Sequence, residues 1–411
     1  MTINFSSIKP YIYKWISVMG ESVAITLTNL IIAFILTSKY GLEYYGQFAL
    51  YQALFLSYST ILKPLTWQAI VKFYPESNLN LLSKHSLKIE LTFLSVSFFI
   101  TAAFSFLGVF DLSAMYMVFL CIACSIINNG TTVGINRSLG NFFKISIVVC
   151  LSSIVKLFFV FFCSFNSLNI FVVLTGVDFA FWLLFLINTQ LCVFSNPDVR
   201  IISVTYQEFG RFSIWGTFHE ILDLPIKHID KLIVSFYLGS VATAILDLAK
   251  RISQVVAQIA VPLNTILYPK YAYLVSTLSL KKIVNISVKI SYYLAFVSFM
   301  IFFVFLISFE QLDIILTSGL LVGQKDLVLS FLFIQLIALV FCWVHPLSIA
   351  IGSMKTIAVS IFISNIIYIF IICLFSFELA LFSVVLAFFA QVSLVVCAKL
   401  YVIMKFIRRS E

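Results

Sequence analysis

Long apolar runs alternate with short polar intervals along the whole chain. The runs reach about 20 residues, the length an α-helix needs to cross a bilayer. They lack the two-residue alternation of a barrel strand. The pattern predicts an all-α chain with twelve helices, at 13–37, 46–70, 87–108, 113–136, 144–165, 169–194, 210–236, 241–267, 286–308, 327–351, 356–376 and 379–404. Pro64 in the second helix and Pro225 in the seventh predict kinks. The interval 71–86, with Pro75, Glu76, Ser77 and Asn78, reads as a loop.

The seventh and eighth spans depart from this apolar pattern. They meet at a turn around Gly239-Ser240, and both carry charges. Glu220, Asp223, Lys227, Asp230 and Lys231 recur at helical spacing in the first, and Asp247, Lys250, Arg251, Gln254 and Gln258 in the second. Each set falls on one helix face, with Ile, Leu, Val and Phe opposite. An ionised side chain at the bilayer centre costs about 2.5–3.5 kcal/mol on insertion scales, so such a stripe faces a protein interior or a wet cavity. This pair of helices is expected to wall a transport pathway.

Composition supports the membrane reading. The chain of 411 residues is 62% apolar and 10% charged, against about 45–50% and about 25% in soluble domains. No short N-terminal apolar stretch ends in a small-residue cleavage site, so no removed signal peptide is expected. All eight cysteines lie in apolar spans; the lone Cys121-x-x-Cys124 has no second pair or nearby histidine. Core packing is their expected role, not metal or redox chemistry. The 45 Phe and 18 Tyr suit lipid-facing bulk and interfacial anchoring.

The net charge of +9 is mostly topology. Of 26 Lys and Arg, six lie within spans (Lys63, Lys156, Lys227, Lys231, Lys250, Arg251), and the intervals on one side hold only Lys39 and Lys325. That leaves 18 in the termini and the alternate intervals. The positive-inside rule then puts both termini in the cytoplasm. The scatter of these residues over many segments gives nucleic-acid binding no support.

The two halves of the sequence correspond. A shift of 198 residues sets Gly41 on Gly239, Gly46 on Ala244, Phe48 on Leu246, Leu50 on Leu248, Pro64-Leu65 on Pro262-Leu263, and Lys72 on Lys270. A shift of 212 sets Gly140 on Gly352, and the longer outer segment near 309–326 accounts for the difference. Six helices per half make this a parallel repeat, with its axis along the membrane normal. The expected architecture is two pseudo-twofold-related six-helix lobes, 1–200 and 201–411, around a central cavity.

Several chemistries are missing. No GxxxxGK[ST] occurs, and His219-Glu220 is not followed by the rest of an HExxH zinc motif. His85, His219, His228 and His345 show no metal spacing, so neither cofactor nor metal is expected. The outer connections are short for a membrane glycosyltransferase or polymerase, and an enzyme is disfavoured.

Four acids (Glu220, Asp223, Asp230, Asp247) face four bases (Lys227, Lys231, Lys250, Arg251) in the seventh and eighth spans, which suits interhelical ion pairs. In a simple hairpin, residues equidistant from Gly239 share a depth. That levels Lys231 with Asp247, Glu220 with Gln258, and Lys227 with Arg251. Two cations buried together are unfavourable unless an acid reaches over or an anion binds. The pair therefore reads either as part of a structural network or as an anion-binding cavity. Glu21 and His219 correspond under the repeat and could face each other as a proton-linked pair. Lys63 either lines the cavity or snorkels, with snorkelling favoured. Lys156 and Asp178 are positioned to pair. Asn128, Asn129, Thr131 and Thr132 read as packing or cavity polar groups, and His345-Pro346 as a kink.

Certain stretches resemble one family. KYGLEYYGQFALYQAL (39–54) is similar to the first outer turn and second helix of the polysaccharide-unit (O-antigen) flippases. These belong to the multidrug/oligosaccharidyl-lipid/polysaccharide exporter superfamily. HIDKLIVSFYLGSVATAILDLAKRI (228–252) with VPLNTILYPKYA (261–272) resembles that family's helix 7–8 signature, and INRSLGNFF (135–143) its helix 4–5 turn. Ala244 replaces the family's usual Gly and Leu246 its usual aromatic. The related lipid II flippases typically have fourteen helices, more than this chain can hold.

The resemblance implies a flippase that moves an undecaprenyl-pyrophosphate-linked oligosaccharide across a bacterial inner membrane by alternating access. In that reading Lys227, Arg251, Lys250, Lys231 and Lys63 hold the pyrophosphate. Glu21, His219, Glu220, Asp223, Asp230 and Asp247 line the path and couple protons or sodium. Membrane lipid, a polysaccharide polymerase and chain-length proteins are the implied partners. Moving two negative charges out of a negative-inside cell gains up to about 4.6 kcal/mol per 100 mV. A cation-coupled multidrug antiporter of the same superfamily is the alternative, and it would want an acid-dominated cavity.

The division of basic residues predicts that reporters fused after residues 75, 200, 280 and 411 report cytoplasm, and after 40, 167, 239 and 318 the outside. An external signal at 411 would break the twelve-helix topology.

Overall fold

The computed structural model describes residues 5–74, 77–108, 112–163, 166–195, 204–277, 280–317, 319–351 and 354–410. In chain order the helices are α1 (Phe5–Leu62), α2 (Thr66–Phe73), α3 (Leu79–Phe106), α4 (Leu112–Asn128), α5 (Thr131–Ser138), α6 (Phe142–Phe162), α7 (Ser167–Ser195) and α8 (Tyr206–Leu222). A π-helical turn (Pro225–Ile229) leads into α9 (Asp230–Thr277). After it come α10 (Leu280–Thr317), α11 (Lys325–Val340), α12 (Val344–Ala350), α13 (Met354–Leu379) and α14 (Phe382–Ser410). No strand occurs among the described residues.

Ten stretches of the described residues are long and apolar enough to cross a membrane. Two of them, Ser17–Leu62 and Pro225–Gln258, each contain a glycine that folds the helix back on itself. Dividing those two brings the count to the twelve expected. The glycines are Gly41 (φ 87°, ψ 171°) and Gly239 (φ 85°, ψ −178°). These are the residues that the 198-residue repeat aligns, and their backbones take the same shape. That region of φ/ψ space is essentially closed to any residue with a Cβ.

The expected kinks are real breaks. Pro64 sits in the non-helical 63–65 between α1 and α2. Pro225 opens the π-turn directly after Asp223 caps α8. A proline has no N–H to give to the preceding turn, so the ladder parts at both places. The repeat is not kept at its other proline, because α9 runs unbroken through Pro262. The fourth and tenth predicted spans are each split, at 129–130 and 341–343. The loop expected at 71–86 is shorter: α2 extends to Phe73 and α3 starts at Leu79, capped by the Asn78 side chain. Gly352, Pro75 and Glu76 fall outside the described residues.

The chain packs as two compact units. One comprises residues up to Ile25 and from Tyr51 to Leu224; the other comprises Thr26–Leu50 and everything from Pro225. In the first, α2, α3, α5 and α8 close over a core of Ile70, Leu82, Ile135 and Phe209. In the second, α9, α12 and α14 bury Leu267, Tyr271, Trp343, Leu347 and Ile403. Elsewhere large apolar side chains point outward, as Phe296, Phe299 and Ile307 do on α10. Such surface suits lipid. Of the cysteines expected in cores, Cys121, Cys124 and Cys342 are buried, but Cys150, Cys192, Cys373 and Cys397 are exposed; all eight are free thiols.

In the second unit the two hairpin turns touch. A Cβ on Gly46 would fall on the carbonyl of Ser240. Gly46→Ala, Gly41→Ala and Gly239→Ala should therefore each destabilise the protein, the last two by about 1–3 kcal/mol of backbone strain. Gly20 has open space around its Cα in mid-helix, and Gly20→Ala should be neutral or slightly stabilising. Thermal unfolding of the purified variants in detergent checks the contrast, and equal melting temperatures across the set would refute it.

Candidate functional site

The polar faces predicted for 225–258 are buried together in the second unit. Asp230 and Asp247 are 0% and 1% exposed, and Lys231, Lys250 and Arg251 are buried beside them. Proline, π-turn and α9 bring this about. The π-turn widens the helix by one residue just before Asp230, and Gly239 then doubles the chain back so that Asp247, Lys250 and Arg251 face Asp230 and Lys231.

Asp247 is the hub. Its Oδ1 is paired with Lys231 Nζ and its Oδ2 with Arg251 Nε at 2.6 Å. The phenol of Tyr45, fully buried, donates to the same Oδ2. Arg251 also donates to the carbonyl of Asn29 at 3.3 Å. Tyr45 and Asn29 belong to Thr26–Leu50, so the carboxylate and its cation attach that segment to α9.

Asp230 is a second centre. Its Oδ2 is paired with Lys250 Nζ and accepts from Tyr368 of α13 at 2.9 Å, while its Oδ1 caps the N–H of Lys231 at 2.8 Å. Lys250 also donates to the carbonyl of Ile226 in the π-turn at 2.8 Å. The cluster thus holds three cations and two carboxylates. Buried charge of this kind persists only when paired and hydrogen-bonded on all sides. The buried His228 Nδ1 beside it has no partner.

The sequence reading is met in part. Lys231 and Asp247, equidistant from Gly239, are indeed paired. Lys227 and Arg251 are not a buried pair of like charges. Lys227 is exposed, and Arg251 is neutralised by Asp247 one turn behind it on α9. An i, i+4 acid on the same helix was available to Arg251, and the hairpin arithmetic, which compares only opposite strands of the turn, overlooked it.

The remaining candidates lie in the first unit, where the half-buried Asp223 ends α8. Lys63 does not snorkel: it is buried and paired with Glu220 at 2.9 Å. The reason is the break at Pro64, which turns Lys63 toward α8. There Thr217 accepts the Leu65 N–H at 3.0 Å, and its hydroxyl lies 3.1 Å from the Lys63 carbonyl. Glu21 does not meet His219. It pairs with Arg137 at 3.3 Å, Arg137 in turn lies over the Trp67 ring, and His219 is exposed. Lys156 and Asp178 pair at 2.9 Å as expected.

Three participants were missed. Tyr45 and Tyr368 read as interfacial aromatics, and nothing local marks them as partners of acids far away in sequence. Glu90 is buried, with its Oε1 against Thr66, Ser86 and Thr131. An acid inside the apolar run 87–108 was the available signal.

No family model matches this sequence, and no curated protein sequence matches it. Solved structures do match its fold. One is an inward-facing multidrug resistance MATE family transporter of the MOP superfamily, with TM-score 0.72 and 12% identity over 96% of this chain and 99% of that one. A MATE transporter in complex with MaL6 gives 0.66 and 12% over 97% and 96%. The lipid II flippase MurJ in an inward closed conformation gives 0.64 and 15% over 93% and 86%. The fold of this chain is that of the MATE and MurJ transporters of the MOP superfamily.

Proposed function

We propose that the protein is an alternating-access flippase for a lipid-linked oligosaccharide bearing a pyrophosphate, with both termini in the cytoplasm. The observation that carries this is the buried cluster around Asp247. It holds Thr26–Leu50, which belongs to the first repeat by sequence, against the second repeat through Tyr45, Asn29 and Gly46. A fold that binds a segment through reversible ion pairs and hydrogen bonds, and not through an apolar seal alone, has a contact that breaks and reforms. We read it as the outer gate, released when Asp247 lets go of Tyr45.

The cluster's excess of one positive charge favours an anionic cargo, and the exposed Lys227 at its edge is the cation we assign to the pyrophosphate. Arg251, first read among the cations that hold the pyrophosphate, we assign to the gate. Lys63 and Glu220, and Glu21 and Arg137, are ion pairs that tie helices within the first unit. A multidrug antiporter is the second reading, and the higher TM-score of the MATE structure favours it. It would carry a cation past a cluster of the same sign.

Two outcomes follow. Deletion should leave lipid-linked sugar units accumulating on the cytoplasmic leaflet with loss of surface polysaccharide. Lys227→Ala should reproduce that defect at normal protein level, whereas Arg251→Ala should lower the protein level. Removing one partner of a buried pair costs about 3–5 kcal/mol. If units reach the outer leaflet normally but stay unpolymerised, the flippase reading is wrong.

Asp247→Asn should weaken the gate, since Lys231 and Arg251 lose their shared anion. In a cysteine-free background, Thr243→Cys, buried in the second unit, should then react several-fold faster with an impermeant maleimide added outside. Unchanged labelling would remove the gate from consideration.

A further inference from the structure

Glu90 on α3 is 4% exposed, and all its polar contacts are neutral. Its Oε1 receives Thr66 Oγ1 at 2.5 Å, Ser86 Oγ at 2.8 Å, and the Thr131 N–H and Oγ1, both at 2.8 Å. The cluster acids Asp230 and Asp247 each have a Lys or Arg beside them; among the described residues no ion pair reaches Glu90. The two threonines hold equivalent places. Thr66 is the first residue of α2 after the break at Pro64, and Thr131 is the first residue of α5 after the break at Gly130. One carboxylate oxygen therefore pins both helix restarts to α3. A Cβ on Gly130 would lie 2.5 Å from that oxygen, so only glycine lets the chain come this close.

The other charged and titratable groups on the helices around Glu90 are engaged elsewhere or exposed. On α3 itself, Lys84 is exposed, His85 Nε2 contacts the Val204 carbonyl, and Lys88 lies over Tyr206. On α2, Lys72 lies over Phe73 and Phe212; on α5, Arg137 pairs with Glu21. On α8, Glu208 is in a capping box, Arg211 and His219 are exposed, and Glu220 pairs with Lys63. Asp178 of α7 pairs with Lys156, and α4 offers Cys121, Cys124 and the exposed Tyr116. Among the described residues, nothing cationic neutralises Glu90 when it is ionised.

We propose that Glu90 is a proton-binding site that controls how tightly α2 and α5 are held to α3. As the carboxylate, it accepts charge-assisted bonds, roughly twice as strong as neutral ones, and fixes the orphan Thr131 N–H at the start of α5. A proton taken from water adds to Oε2, because Oε1 is already surrounded by four donors. The charge disappears, the bonds to Thr66 and Thr131 weaken, and both restarts loosen. They loosen together because α2 and α5 are in backbone contact: a Cβ on Gly134 would lie 3.0 Å from Trp67 Cα.

The test needs no substrate and is independent of the transport reading. In full-length protein in lipid, infrared difference spectra should show one protonated-carboxyl band appearing as the pH is lowered, over the interval in which Glu90 takes up its proton. Glu90→Gln, which mimics the neutral form, should abolish it. Thr66→Val keeps the acid and should move the band's frequency, which serves if Glu90→Gln does not fold. Amide exchange at 66–70 and 131–135, corrected for its intrinsic pH dependence, should rise several-fold across the same interval in the wild type. In Glu90→Gln it should be high throughout. No such band in the wild type, a band indifferent to Glu90→Gln and Thr66→Val, or pH-independent exchange at both restarts would overturn the proposal.

Discussion

The second unit depends on one carboxylate. Asp247 is shared by Lys231, Arg251 and Tyr45, and without it two buried cations and a phenol would lose their common anion. Desolvating that many charged groups is costly, and close mutual contact offsets the cost only while every partner is present. The contact is therefore close to all-or-none. That property suits a latch: stable when assembled, and without a half-formed state. It also links local geometry to chain organisation, because Tyr45 and Asn29 come from Thr26–Leu50 and the rest from α9.

Helix breaks place the polar groups. At Pro64, Gly130 and Pro225 the backbone ladder parts, and each freed group finds a side chain: Thr217 for Leu65, Glu90 for Thr131, Lys250 for Ile226. In lipid an unmet N–H or C=O is expensive, so irregular backbone at membrane depth survives only where protein satisfies it. These sites are consequently where ionisable residues collect. The two repeats use them differently. Pro64 parts its helix, while Pro262, its sequence counterpart, does not. The shared hairpin glycines thus coexist with unlike interiors.

Charge sign bears on cargo. On the reading proposed above, three cations and two carboxylates around Asp247, with Lys227 exposed nearby, suit phosphate oxygens better than a cationic drug. The fold itself is neutral on this point, since a multidrug resistance MATE transporter and the lipid II flippase MurJ share it. Side-chain polarity, and not topology, separates the readings.

Much of this was legible along the chain. Hydropathy determined the helical class and the number of spans, because in lipid each helix must satisfy its own backbone and so advertises itself as an apolar run. The 198-residue repeat picked out Gly41 and Gly239, since a backbone shape open only to glycine leaves a glycine in the sequence. The Lys231–Asp247 and Lys156–Asp178 pairs were legible because hairpin geometry and helical spacing are local rules. The partners of Glu21 and Lys63 were not, and neither was the role of Tyr45, Tyr368 or Glu90. A buried charge takes whichever opposite group the packing delivers. Only the tertiary structure decided that, by turning Lys63 at a break, seating Tyr45 against α9, and leaving Glu90 among hydroxyls.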